Sequence, residues 1–177
     1  VPKRKPFNKE EALATLAQKY FSSRCPATLQ DFVWWSGLTA REARRALETA
    51  APNFIPETIN SQTYWFTPSF LFPKANDEEL YLLPAFDEFI ISYRDRSSAL
   101  PQETHKTAVS DNGIFRPVIV VNGQAAGIWK RTIDKDKVVL EAEFFEPPNK
   151  TISSNVKEAG IQYGHYLDKQ IELNIKY

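Results

Sequence analysis

Apolar residues recur at helical spacing in successive stretches near the start of the chain. Leu13, Leu16, Ala17, Tyr20 and Phe21 fall on one face and predict a helix over residues 9–23. Asn8 stands where an N-cap is needed, and Glu10 and Glu11 lie in the first turn, where the helix dipole favours negative charge. Pro26 ends this element. Thr28 is placed to cap a second, short helix over Leu29–Ser36. Its Phe32, Val33, Trp34 and Trp35 are too apolar for a free surface helix, so most of them are expected in the core. Gly37 supplies the left-handed residue that stops a helix, and Leu38 a plug for the core. Thr39 caps a third helix over Ala40–Ala51, with Glu42 completing a capping box. That helix is two-sided: Ala43, Ala46, Leu47 and Ala50 make one face, and Arg41, Arg44, Arg45 and Glu48 the other.

Pro52 stops the third helix. Two β-prone runs follow, Phe54-Ile55 and Thr63–Phe66, split by Asn60-Ser61-Gln62, and they predict a hairpin. Three helices with a tight glycine turn, then a hairpin, have the layout of a winged helix-turn-helix, and residues 1–70 are assigned to it. Pro68 to Asp77 reads as a linker. The apolar pattern then changes period. Leu80–Leu83 is a buried-type strand, and Phe86–Tyr93 is an apolar run compatible with helix or strand. Phe115–Val121, Ala125–Ile133 and Val138–Phe145 form a meander, with an Asn122-Gly123 hairpin turn and a second turn at Asp134–Asp136. Ser153–Leu167 looks helical, and Ile171–Ile175 alternates as a closing strand. The expected fold class is α+β: a winged helix-turn-helix followed, over residues 71–177, by a mainly antiparallel β domain, a small barrel or curled sheet, with one helix.

Composition excludes several classes. At 177 residues, 42% hydrophobic and 25% charged, the chain can build packed cores. It has no apolar run of membrane-spanning length and no signal-peptide pattern, so the expectation is a cytoplasmic protein without a membrane partner. A single cysteine, Cys25, excludes an intrachain disulfide. His105 and His165 are far apart and lack ligands at metal spacing, so no metal and no cofactor is expected. There is no methionine, and the abrupt basic opening favours a piece of a longer polypeptide. Net charge is zero, yet residues 1–50 carry nine basic side chains against five acidic ones. Attraction to phosphate is local, so a basic first half on a neutral chain still permits DNA binding.

Three stretches carry a resemblance. They are Pro26–Thr39; Leu82-Leu83-Pro84-Ala85-Phe86-Asp87-Glu88-Phe89 with Tyr93-Arg94-Asp95-Arg96; and Gly113–Gly123 running on to Gly127-Ile128-Trp129-Lys130-Arg131. Together they resemble the C-terminal half of the bacterial winged-helix family that includes the AlkZ-type DNA glycosylases. The resemblance implies a protein about twice this length, with several winged helices and a final β-rich domain. It also implies double-stranded DNA as partner, alongside a missing N-terminal part of the same polypeptide. Characterised members excise bulky alkylated bases and unhook interstrand cross-links, using a Gln-x-Gln or Gln-x-Asp motif near their N-terminus. Each glutamine of this chain, from Gln18 to Gln170, lacks a Gln or Asp two residues on, so no catalytic residue is carried over.

The candidate DNA contacts are Thr39, Arg41, Arg44 and Arg45 on the third helix, Asn60 and Gln62 at the wing, and Trp129 with Arg131 on the meander. Arginines on such a helix pair with guanine edges or grip phosphates. They equally suit a solvated face with local pairs such as Arg44 with Glu48. Thr39 also serves as the helix cap. Trp129 can stack on a base or fill the core. Asp87 and Glu88 suit holding a metal or acid–base work, or Asp87 pairs structurally with Arg94, Arg96 or Arg116. Three functions follow as alternatives: a DNA-binding module, an architectural winged helix that packs on other domains, and a winged-helix transcription regulator.

Overall fold

The computed structural model describes residues 8–71 and 79–177. These form two compact units: the described residues before 72 together with Ser92–Asp95, and residues 79–91 together with Arg96–Tyr177. Most of the expected linker and the basic residues Lys3, Arg4 and Lys5 lie outside the described residues.

In the first unit, helices α1 (Lys9–Ser23), α2 (Leu29–Ser36) and α3 (Ala40–Ala50) are each started by a reciprocal capping box. The Asn8 side chain accepts from Glu11 N at 2.8 Å, and the Glu11 carboxylate accepts from Asn8 N at 3.3 Å. Each such cap satisfies amides that a helix start leaves orphaned. Gly37 ends α2 in the left-handed region (φ 66°). One short helical turn, Ala51–Asn53, follows α3 because Pro52 cannot donate to a continuing ladder.

A three-stranded sheet completes this unit in the order β1 (Ala27–Thr28), β3 (Gln62–Phe66), β2 (Ile55–Ile59). Ile59 pairs with Gln62, so the hairpin turn is only Asn60-Ser61, both left-handed (φ 49° and 64°). That turn matches the strand twist. The expectation had Gln62 in the turn; it is instead the first residue of β3.

Tyr20, Phe21, Phe32, Ala43 and Leu47 are buried together, which is why α3 presents alanines to α1 and α2. Of the apolar run in α2, Phe32 is core and Val33 and Trp35 pack against it, whereas Trp34 remains 52% exposed. Ser92–Asp95 belongs to this unit through specific bonds. Tyr20 Oη donates to Ser92 O at 2.9 Å, and Arg94 N donates to Asp31 Oδ1 at 2.8 Å. The buried Asp31 also accepts from Thr28 N and Thr28 Oγ1, which offsets the cost of its burial.

The second unit is a five-stranded sheet in the order β4 (Leu80–Leu83), β5 (Val118–Val121), β6 (Gln124–Ile133), β7 (Lys137–Phe144), β8 (Gln170–Lys176). The first three pairings are antiparallel. The last is parallel, because the chain returns through helix α6 (Lys150–Tyr166) rather than a hairpin. The sheet is open, with β4 and β8 at its edges, and the barrel alternative is not formed among the described residues. Two one-turn helices, Glu88–Ile91 (α4) and His105–Ala108 (α5), add to the single helix expected.

The strand expected from Phe115 starts at Val118, since Pro117 has no N–H for a ladder. Asn122 and Gly123 (φ 50° and 81°) make the expected hairpin turn. At Gly127 a Cβ would come within 2.4 Å of Glu143 O, so only glycine fits where β6 and β7 approach. The sheet buries Val118, Val120, Leu100 and Ala108 in one cluster and Ile119, Trp129, Leu140, Phe144 and Val156 in another. No helix among the described residues is long and apolar enough to cross a membrane.

Candidate nucleic-acid interface

Helix α3 owes its orientation to its buried alanine face, and that leaves Arg41, Arg44 and Arg45 exposed. The three are not equivalent. Arg45 Nε lies 3.0 Å from Glu10 Oε2, an ion pair to the first turn of α1. A parallel contact links Lys9 Nζ to Glu42 Oε1 at 2.7 Å. Arg41 and Arg44, by contrast, have no acid partner among the described residues, and the Arg44–Glu48 pair that helical spacing allows is not made. Two guanidinium groups are therefore available to an external anion.

Thr39 is committed to its own helix. Its Oγ1 accepts from Glu42 N at 3.2 Å and donates to Glu42 Oε2 at 2.8 Å. The hydrogen bond from Lys9, then those from the Thr39 hydroxyl and backbone, lower the Glu42 carboxyl from its ordinary value to about 2. Glu42 is thus a fixed negative charge at the start of α3, spent on a cap and an ion pair.

A groove of about 440 Å³ runs beside α3 within the first unit. Arg44 and Glu48 line it from α3, Gln30 from α2, and Gln62, Thr63 and Trp65 from β3. The Gln30 amide oxygen already accepts from Arg94 Nη1 (3.1 Å), and the Gln62 amide oxygen accepts from Tyr64 Oη (3.1 Å). Each glutamine so arranged keeps its NH₂ donors for the groove. Arg44 and these amides give the groove donors that suit phosphate or base-edge oxygens, beside the Glu48 carboxylate and the apolar Leu47 and Trp65. The fold brings Arg44 and Gln62 to one groove; Asn60 stands apart at the exposed hairpin turn. Nothing local in the sequence marks Gln30, Thr63 or Trp65 for this groove: only the pairing of β1 with β3 brings α2 and the hairpin together.

On the meander the structure corrects one expectation. Trp129 is only 5% exposed, donates from Nε1 to Leu83 O at 2.8 Å, and meets Tyr163 edge-on with centroids 5.8 Å apart. Its indole is a core group and offers no face to a base. Arg131 is exposed, but its guanidinium lies over Trp129 and Tyr163 at 5.9 and 5.6 Å. Lys130 and Lys176 both bind Glu141, at 2.8 and 3.1 Å, and they hold its carboxyl below the ordinary range. The Asp87 Oδ1 accepts from Phe89 N at 2.8 Å and starts α4, a local structural role. No group of three or more metal-ligating side chains occurs among the described residues.

The fold has a counterpart among solved structures. The DNA glycosylase AlkZ of Streptomyces sahachiroi has the same fold over 97% of this chain, with a TM-score of 0.78 at 16% identity. The match takes in 47% of that protein, so this chain spans about half of its length. No curated protein matches this chain. The family model described as DNA glycosylase AlkZ-like matches residues 1–166. The chain therefore belongs to the AlkZ-like DNA glycosylase family.

Proposed function

We propose that this chain is the DNA-gripping part of an AlkZ-like DNA-repair protein. In this reading the first unit is a winged helix-turn-helix: α3 is the recognition helix and the β2–β3 hairpin the wing. It holds duplex DNA chiefly through phosphates, with Arg41 and Arg44 as the principal cations and the α3–β3 groove receiving one strand. The observation that carries the reading is the pair of exposed arginines, Arg41 and Arg44, that have no acid partner among the described residues. Asn60, Gln62 and Arg131 are subsidiary contacts, and Thr39 supports the helix start. The resemblance implies that base excision in characterised members uses a Gln-x-Gln or Gln-x-Asp pair, and this sequence contains none. We assign the chemistry to a part of the protein outside it.

The test is fluorescence anisotropy with a labelled duplex. Binding should weaken with salt and fall sharply when Arg41, Arg44 and Arg45 are all replaced by alanine. Unchanged affinity in that variant would remove α3 from the account. A second reading, in which the winged helix is architectural, is favoured by the Arg45–Glu10 and Lys9–Glu42 pairs. It expects no salt-dependent duplex binding at all.

A further inference from the structure

Phe86 occupies a position that folding alone does not explain. It lies in the Pro84–Asp87 turn between β4 and α4, with φ at 57° in the left-handed region. A bulky residue there is a conformational outlier, and glycine or asparagine would make the same turn with little strain. Burial of the ring is the usual compensation, yet Phe86 remains 52% exposed. The turn nevertheless holds it firmly. Phe86 N donates to Phe115 O at 3.3 Å, and the two rings lie 6.0 Å apart. On its other side Asp87 anchors α4, its carboxylate accepting from Phe89 N and its carbonyl from Ile90 N and Ile91 N. Phe89 (38%) and Ile114 (51%) extend the exposed apolar surface.

A cation packs beneath this surface. The Arg96 guanidinium sits over the Phe115 ring at 5.1 Å, and the next residue, Arg116, is exposed with no ion pair among the described residues. Asp87 and Glu88 are the nearby acids, and the Asp87 carboxylate is engaged in the cap. An exposed aromatic ring fixed by its backbone and by a neighbouring ring fits a partner with flat π-faces, which the bases of the duplex in the DNA-binding reading supply. Glycosylases take their target base out of the helical stack, which leaves a gap that an apolar side chain can fill.

We propose that Phe86 is a wedge that enters duplex DNA at an interrupted base stack. The proposal rests on the DNA-binding reading above and adds a preference for DNA whose stack is broken. The probes are two otherwise identical duplexes, one fully paired and one with a single abasic-site analogue. The wild-type chain should favour the interrupted duplex by about 5-fold or more, the lower end of what one base–aromatic stack supplies. Phe86→Asn and Phe86→Gly should lose that preference, keep their affinity for the paired duplex, and melt at the same or a higher temperature, because the strain is relieved. Phe86→Tyr should retain the preference.

If either small variant keeps the preference, or the wild type has none while binding paired duplex, the wedge is wrong. A lowered melting temperature in both would make Phe86 a packing residue and overturn the proposal. A wild-type chain that binds neither duplex would overturn the DNA-binding reading and the wedge with it. Loss of binding to both duplexes in the small variants alone would refute only the selective role.

Discussion

The unequal pairing of the three α3 arginines makes a quantitative prediction about salt. Each phosphate neutralised contributes about 0.9 to the slope of log affinity against log salt. Arg41 and Arg44 are free to take phosphates, whereas Arg45 is held by Glu10 at 3.0 Å. The double variant Arg41→Ala, Arg44→Ala should therefore lower the slope by about 1.8. Between about 50 and 200 mM salt the wild type should lose roughly 12-fold more affinity than this variant. Arg45→Ala should leave the slope close to the wild-type value.

Glu10→Gln tests the same idea in the opposite direction. It frees one guanidinium, so the slope should steepen by about 0.9. The Arg45 and Glu10 side chains are 64% and 55% exposed, and so exposed a pair contributes only about 0–1 kcal/mol to stability. The fold should thus tolerate its loss. Anisotropy titrations of one labelled duplex at four or five salt concentrations measure every slope. If Arg45→Ala flattens the slope as much as Arg44→Ala does, the pairing in the free protein does not govern which arginines meet DNA, and the reasoning fails.

Two further outcomes follow from other parts of the molecule. Trp129→Phe removes the donor to Leu83 O from a nearly closed site and should destabilise the second unit by about 1–3 kcal/mol, while duplex affinity of the folded protein stays the same. Urea unfolding followed beside anisotropy would show this, and a weakened duplex affinity with intact stability would restore Trp129 to the interface. Glu42 is lowered from 4.5 to about 2, so its stabilising cap and ion pair are complete above the ordinary carboxylate range and disappear as pH falls toward about 2. Thermal melting from neutral to acid pH should show a stability loss in that window that Glu42→Gln reduces; identical profiles would count against the pair.

The starts of α1, α2 and α3 were legible in the sequence because Asn8, Thr28 and Thr39 act on amides only three residues away. The buried face of α3 was legible for a similar reason, since helical periodicity places Ala43, Ala46, Leu47 and Ala50 together whatever they pack on. Asn122-Gly123 announced its hairpin through the left-handed backbone that those two residues tolerate. The three stretches from Pro26 to Arg131 also sufficed to identify the family.

Other features had no local cause to read. Strand alternation in Ile171–Ile175 shows which side chains share a face, but the parallel pairing of β8 with β7 depends on the crossover through α6. Trp129 has the same neighbours in sequence whether it stacks on a base or fills a core; packing against Tyr163 and the bond to Leu83 O decided it. Spacing offered Arg44 a partner in Glu48, whereas the fold gave Arg45 a different acid, Glu10, from another helix. The groove joining Arg44 to Gln62 arises only when the hairpin pairs with β1. Caps, turns and faces are set by residues within a turn or two of one another. Which cations stay free, and which aromatics stay exposed, is set by residues that only the closed fold brings into reach.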